Sequence, residues 1–174
     1  MEKNIDIKSR EMYHTQEHKN KELTFPVLCT KSNAWLGTAY YFWYDEIDAI
    51  NWGNDFKGKN GYFEIYNANI DTNDILDTVF NEEHYKFWLS QIEKTAKKIF
   101  QLNGRKATIK DINQYLKEKA NWQENITGVM FQDIPIKNNL MVEQFYYRKR
   151  IQLAVYKKEI IKNFKLKEVM EKTK

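Results

Sequence analysis

One stretch limits the fold more than any other: Trp35-Leu36-Gly37-Thr38-Ala39-Tyr40-Tyr41-Phe42-Trp43, followed by Tyr44-Asp45-Glu46 and a helical pattern. It is too aromatic for an ordinary surface loop and too poor in glycine for a phosphate-cradling one. It sets large rings beside a turn glycine and a short strand. Rings gathered at such a place can clamp a flat ligand ring. The chain around it has the bulk to fold. Aromatic residues make up 15% of 174 positions against 30% charged, which separates it from disordered sequence. That length fits one domain over residues 1–174 with a substantial core. Only two prolines and six glycines favour regular elements over long coils.

Read along the chain, residues 1–10 are polar and expected to be flexible. Glu11-Met12-Tyr13-His14-Thr15 reads as a short strand. Leu23 to Cys29 is apolar but holds Pro26, which suits a loop or an edge strand. Residues 39–44 read as a strand. Asp45 and Asp48 have N-cap and N3 character for a helix with Ile47, Ile50 and Trp52 on its apolar positions, ended by Gly53 and Asn54. Gly58 to Gly61 is a turn and Tyr62 to Tyr66 a strand.

The clearest helix spans about 82–101. Asn81 caps it, Glu82 and Glu83 fill its first turn, and Tyr85, Trp88, Ile92, Ala96 and Ile99 form one stripe before Gly104 ends it. A second helix covers about 109–121, where Thr108 and Asp111 resemble a capping box with a shorter acid. Ile112, Tyr115 and Leu116 are its inward positions. Gly128 to Ile134 reads as a strand, 135–147 as a loop, and 151–155 as a half-buried strand in which Ile151, Leu153 and Val155 alternate with Gln152 and Ala154. From Lys162 a last strand leads into a basic helical tail over 165–174. This order of elements is not the βαβ alternation of a doubly wound sheet. It predicts an α+β domain with an antiparallel or split sheet.

The net charge of +4 is uneven. From Arg148 onward ten Lys/Arg stand against three Glu. A basic end is compatible with a polyanionic partner, and equally with a solvated helix face. Cys29 is the only cysteine, so no intramolecular disulfide can form and a reducing, cytoplasmic setting is expected. No Cys/His cluster offers the roughly four ligands zinc needs, so no metal site is expected. No apolar run reaches about 18 residues and no signal-peptide core stands at the N-terminus, so no membrane partner is expected.

Three polar residues stand out because each lies in a strand-like segment: His14, Tyr41 and Gln152. Singly, each has an ordinary structural reading. Jointly they resemble a known family. Met12-Tyr13-His14-Thr15 resembles the first-strand Tyr-His-Gly-Ser/Thr motif of the ADP-ribosyltransferases. Trp35 to Trp43 is similar to the Trp-Leu-Gly-x-Gly-x-Tyr-Phe-Trp stretch of bacterial members, with Tyr41 at the nicotinamide-stacking tyrosine. Gln152-Leu153-Ala154-Val155-Tyr156 with Ile160 resembles the late Glu-Tyr-x-x-Tyr strand of the diphtheria-toxin-like and poly(ADP-ribose) polymerase branch, with Gln152 at its catalytic glutamate. The order holds along nearly the whole chain, although the motifs themselves occupy only about 12–55 and 148–164.

The resemblance implies an ADP-ribosyltransferase-like split antiparallel β-sheet with flanking helices, and NAD as substrate. It implies mono-ADP-ribosyl transfer to a macromolecule by an intracellular bacterial toxin or defence effector, with an antitoxin or inhibitor protein as a possible partner. Cleaving the nicotinamide–ribose bond creates an oxocarbenium-like centre, so the site must hold the ring, orient the ribose and stabilise developing charge. By resemblance, the backbone at Thr15 binds the carboxamide, His14 binds a ribose hydroxyl, and Tyr41 stacks on nicotinamide. Trp35, Gly37 and Tyr44 complete the NAD-binding set, with Trp43 beside them.

The chain also departs from the family's pattern. Thr15 replaces a glycine, so a Cβ stands where backbone approaches the ligand. Ala39 replaces a second glycine. Gln152 replaces the glutamate, and its amide can bind a hydroxyl but carries no charge. Glu143 and Asp133 are the carboxylates that could supply one. Arg150 stands where arginine-modifying members have an acid, which argues against arginine as acceptor. The segment 136–150 flanks the acceptor by family analogy, with Glu143, Tyr146, Arg148 and Arg150 as its binding residues. Aromatics beside cations favour a nucleic-acid acceptor over a protein one. Two other readings stand beside this one: an inactive NAD-, nucleotide- or partner-binding module, and a basic nucleic-acid-binding α+β domain.

Overall fold

Alternating apolar side chains gather the strands of this chain into one sheet. The computed structural model describes residues 8–133 and 149–173. Within them lie seven strands: β1 (Ser9–Glu17), β2 (Tyr40–Trp43), β3 (Tyr62–Asp71), β4 (Ile75–Asp77), β5 (Gly128–Asp133), β6 (Arg150–Val155) and β7 (Ile161–Glu171). The helices are α1 (Glu46–Phe56), α2 (Glu82–Asn103), α3 (Ile109–Ala120) and the short α4 (Trp122–Asn125). No helix among the described residues is long and apolar enough to cross a membrane.

The strands order as β4-β5-β6-β2-β1-β3-β7. Every pair is antiparallel except β4 with β5. The expected α+β class therefore holds, with one parallel pair at an edge. The joins are unequal. β1 and β3 share nine register pairs, whereas β1 and β2 share one, Tyr13 with Trp43. That single pair is a seam between a β4-β5-β6-β2 half and a β1-β3-β7 half.

Register fixes which side chains share a face. Phe131, Gln152, Trp43, Tyr13, Asn67 and Lys165 form one lateral row across β5, β6, β2, β1, β3 and β7. The helices pack on this face. Leu76, Val129, Phe131 and Ala154 meet Ile99, Ile112 and Leu116 of α2 and α3. Trp43, Phe63 and Ile65 meet Ala49 of α1. The opposite face carries Met12, Phe42, Ala68, Ile70, Met130, Ile151 and Leu153, with no residue of α1 to α4 among its buried members; Ile160, from the 3-10 turn Lys158–Ile160, joins them.

Local signals explain the two longest helices. Asn81 accepts from the backbone of Glu83 and His84, and Gly104 closes α2 in the left-handed region. The capping box at α3 is complete, Thr108 accepting from Asp111 N and Asp111 accepting from Thr108 N. Elsewhere the structure corrects the sequence reading. Ser9 and Arg10 belong to β1 rather than to a flexible end; residues 1–7 lie outside the described residues. Asp45 makes no side-chain cap bond, and α1 runs through Gly53 to Phe56. Its buried face is Asp48, Ala49 and Gly53, while Ile47 is 47% exposed. Gly53 lies against the Phe63 ring, where a Cβ would come within 2.2 Å of it, so this glycine serves close packing and does not end the helix.

β4 was not expected, and β6 is buried on both faces because it lies inside the sheet between β5 and β2. Residues 165–171 are strand, not a helical tail, because pairing with β3 continues to Glu171. As an edge strand rich in Lys, β7 keeps its free side from recruiting another chain.

Candidate functional site

His14 projects from β1 onto the helix-free face and is 7% exposed. Its Nδ1 lies 2.9 Å from the Tyr41 carbonyl oxygen across the seam. A carbonyl only accepts, so Nδ1 carries the proton and Nε2 is a lone-pair acceptor. That Nε2 is buried and has no partner among the described residues. Burial pulls the imidazole pKa down to about 4, against the bond to Tyr41, so the ring is neutral near pH 7. Phe42 and Phe164 stand at centroid distances of 5.7 and 6.1 Å from it. Tyr66, in register with His14 on β3, stacks on Phe164 at 4.8 Å. Phe25 extends this group toward Tyr40, with an edge-on contact of 5.4 Å.

The loop that carries Phe25 is tied down beside the histidine. Glu64, 2% exposed, accepts from His18 Nδ1 and Lys19 N through Oε1, and from the Tyr66 hydroxyl through Oε2. The Tyr66 oxygen in turn accepts from Leu23 N at 3.0 Å. A buried carboxylate supplied with several donors holds a defined geometry.

Tyr41 and Gln152 share the other, helix-bearing face. The Tyr41 ring packs into the cluster with Leu36 and Ala39. Its hydroxyl donates to the Gly37 carbonyl at 2.8 Å, and burial raises its pKa well above the usual phenol value. Gly37 has φ +76°, a conformation that favours glycine and turns its carbonyl toward the tyrosine. Gln152 lies directly across from Trp43. Its Nε2 donates to Asp133 Oδ2 at 3.2 Å, and the same oxygen accepts from Arg150 at 2.6 Å. The Arg150 guanidinium also sits 4.9 Å from the Trp43 ring centroid.

The three residues thus stand on consecutive strands β6, β2 and β1, beside the seam. They do not converge on one face. His14 reaches Tyr41 through its backbone carbonyl, not its ring. Thr15 donates to the Ala49 carbonyl at 2.7 Å, so its side chain is spent on α1. Tyr44 lies on the helix-free side, under the Arg10 guanidinium at 3.3 Å and against Phe80 at 5.3 Å, and its ring is already stacked. Trp35 is 37% exposed, and its carbonyl accepts from Asn113. Arg150 turns inward onto Asp133 instead of outward to an acceptor. Glu143, Tyr146 and Arg148 lie outside the described residues.

Two features escaped sequence reading. Asp133 stands at Gln152 because β5 and β6 pair with Asp133 opposite Arg150, a register no local signal announces. The aromatic surround of His14 draws on segments more than a hundred residues apart, Phe25 and Phe164.

No family model matches the chain, and neither a curated protein nor a solved structure does. The function therefore rests on the chemistry of the site. A neutral imidazole offers a fixed acceptor. The Gln152 amide, anchored on Asp133 through its N–H, keeps its oxygen as a second acceptor. Both suit hydroxyl donors.

Proposed function

We propose that this protein transfers ADP-ribose from NAD to a macromolecular acceptor, as the bacterial toxin or defence effector its motifs resemble. The observation that carries the reading is the buried Nε2 of His14 at the seam, which has no partner among the described residues, with Tyr41 and Gln152 on the next two strands of the sheet. The seam itself supports a split-sheet fold of the ADP-ribosyltransferase type.

In the reaction, the bond between nicotinamide nitrogen and ribose C1′ breaks and its electron pair leaves with nicotinamide. An acceptor nucleophile then bonds to C1′ and gives up its proton. His14 Nε2 accepts from a ribose hydroxyl. Tyr41 and the adjoining wall hold the nicotinamide, and Gln152 Oε1 accepts from the second ribose hydroxyl once the β1–β2 join opens, because in the closed sheet His14 lies on the opposite face from both. Asp133, paired with Arg150 and hydrogen-bonded to Gln152, is the carboxylate that adjoins Gln152.

The test is incubation with labelled NAD and separate RNA, DNA and protein pools. Label moves to one pool, and His14→Ala and Tyr41→Ala abolish transfer while remaining folded. No NAD consumption with every pool supplied overturns the reading.

A second reading has its own support. His14 faces away from Tyr41 and Gln152, and Gln152 lacks the family's charge. It describes a module that binds NAD or a nucleotide without turnover, and it predicts a thermal shift with NAD and no released nicotinamide.

A further inference from the structure

Away from the seam, two adjoining cavities of about 180 and 360 Å³ share Thr38, Lys117 and Gln123 in their walls. Together they form a groove between the segment 30–38, α3 and the turn that follows β6. Its cations come from three separate parts of the chain: Lys31, then Lys110 and Lys117 on α3, then Lys157 and Lys158. Among the described residues Glu159 is the one acid on its walls. Lys31, Lys110, Lys117 and Lys158 form no ion pair with a described carboxylate. Lys157 donates to the Glu124 carbonyl at 2.9 Å, which fixes its ammonium at the wall.

A second, independent feature lies in the smaller cavity. Asn113 is 4% exposed and lines it. Both its N–H groups are used, on the Trp35 carbonyl at 3.0 Å and the Ile109 carbonyl at 2.9 Å. This fixes the amide's orientation and leaves Oδ1 buried with no donor. A buried acceptor without a donor carries a desolvation penalty that an incoming N–H or O–H removes. The larger cavity adds Tyr40 and Leu28 beside its lysines.

Cations spaced along a groove, a ring surface and an unmet acceptor are the three elements that hold phosphates, a base face and a base edge. We propose that this groove binds single-stranded nucleic acid, with phosphates along Lys31, Lys110, Lys117 and Lys158, a base against Tyr40, and a base amino group on Asn113 Oδ1. An unpaired strand is specified because a base held in a duplex presents neither its face nor its full edge. The inference goes beyond the NAD reading and does not depend on it. The groove binds strand whether or not the chain consumes NAD.

The experiment is fluorescence anisotropy of a labelled single strand of about 12 nucleotides with the full chain, titrated between about 50 and 200 mM salt. Lys110→Gln with Lys117→Gln, both on the exposed side of α3, lowers affinity about tenfold or more and makes the logarithmic salt slope shallower by about 1.4. Lys97→Gln with Lys98→Gln on the exposed side of α2 removes the same charge away from the groove and changes affinity less than about threefold. Thermal midpoints show that both variants fold. Equal losses in the two double variants overturn the proposal by reducing it to net charge. So does a duplex that binds as tightly as the strand, or inorganic tripolyphosphate that displaces label as well as unlabelled strand does.

Discussion

His14 is neutral because it is buried, and that neutrality has a measurable consequence. Its pKa falls from 6.5 to about 4 on folding. Between those values the unfolded chain binds a proton that the folded chain does not, so stability rises with pH across the window. The His14 contribution is complete above about pH 6.5 and is lost as pH falls toward 4, by about 3 kcal/mol at the end of the window. Urea unfolding at steps between pH 7 and 4 measures it. His14→Gln removes that part of the slope while keeping a donor for the Tyr41 carbonyl. Gln152 gives the second prediction at this scale. Gln152→Glu restores a charge where the resemblance places one, and nicotinamide release rises by about 10²-fold. An unchanged rate assigns the charge to Asp133, and Asp133→Asn then lowers release. His14 and Gln152 were legible in the sequence because their neighbours form motifs. Asp133 was a candidate without a place, since what sets it at Gln152 is a hydrogen bond between strands, from a residue nineteen positions away.

At the scale of elements, local signals and packing signals part company. α2 and α3 were readable because their caps and apolar stripes lie within a turn or two of each other. Arg105 joins the α3 box through two bonds to Asp111, which holds that carboxyl well below its ordinary range. Thr108→Ala removes the acceptor for Asp111 N and costs about 1 kcal/mol, read as a lower urea midpoint at unchanged slope. α1 was misread at its end because a glycine looks like a stop when its neighbour across the fold is unknown. Gly53→Ala gains helix propensity on an exposed-helix argument, yet its Cβ meets the fully buried Phe63 ring at 2.2 Å. The ring cannot swing aside in a packed core, so overpacking decides the sign and the variant loses about 1–3 kcal/mol. A variant more stable than the parent shows that α1 can move off β3. The strand at 165–171 was misread for a related reason: its charges suggest a solvated helix, and only the β3 partner makes it a ladder.

For the whole molecule, the α+β class was legible from the sequence of helical and strand periods, but strand order was not, because pairing is decided between distant segments. The consequence lies at the seam. The β1–β3 ladder has nine register pairs and β5–β6 has six, whereas one pair joins β1 to β2. The His14 Nδ1–H bond to the Tyr41 carbonyl is a side-chain tie across that same join. On the helix-bearing face Trp43 of β2 crosses to Phe63 and Ile65 of β3 under α1, the rest of the first half packs on α2 and α3, and the helix-free face is united by Met12, Phe42 and their neighbours. Such a sheet opens along its weakest join first. In native-state hydrogen exchange under increasing denaturant, amides of β1 and β2 that face each other across the seam exchange through a sub-global opening, below the free energy that governs the β1–β3 and β5–β6 ladders. His14→Ala lowers the seam's opening energy further and leaves the two ladders on the global isotherm. One isotherm shared by all three joins contradicts a divided sheet, and a cleft that admits a dinucleotide at the seam then needs a different opening.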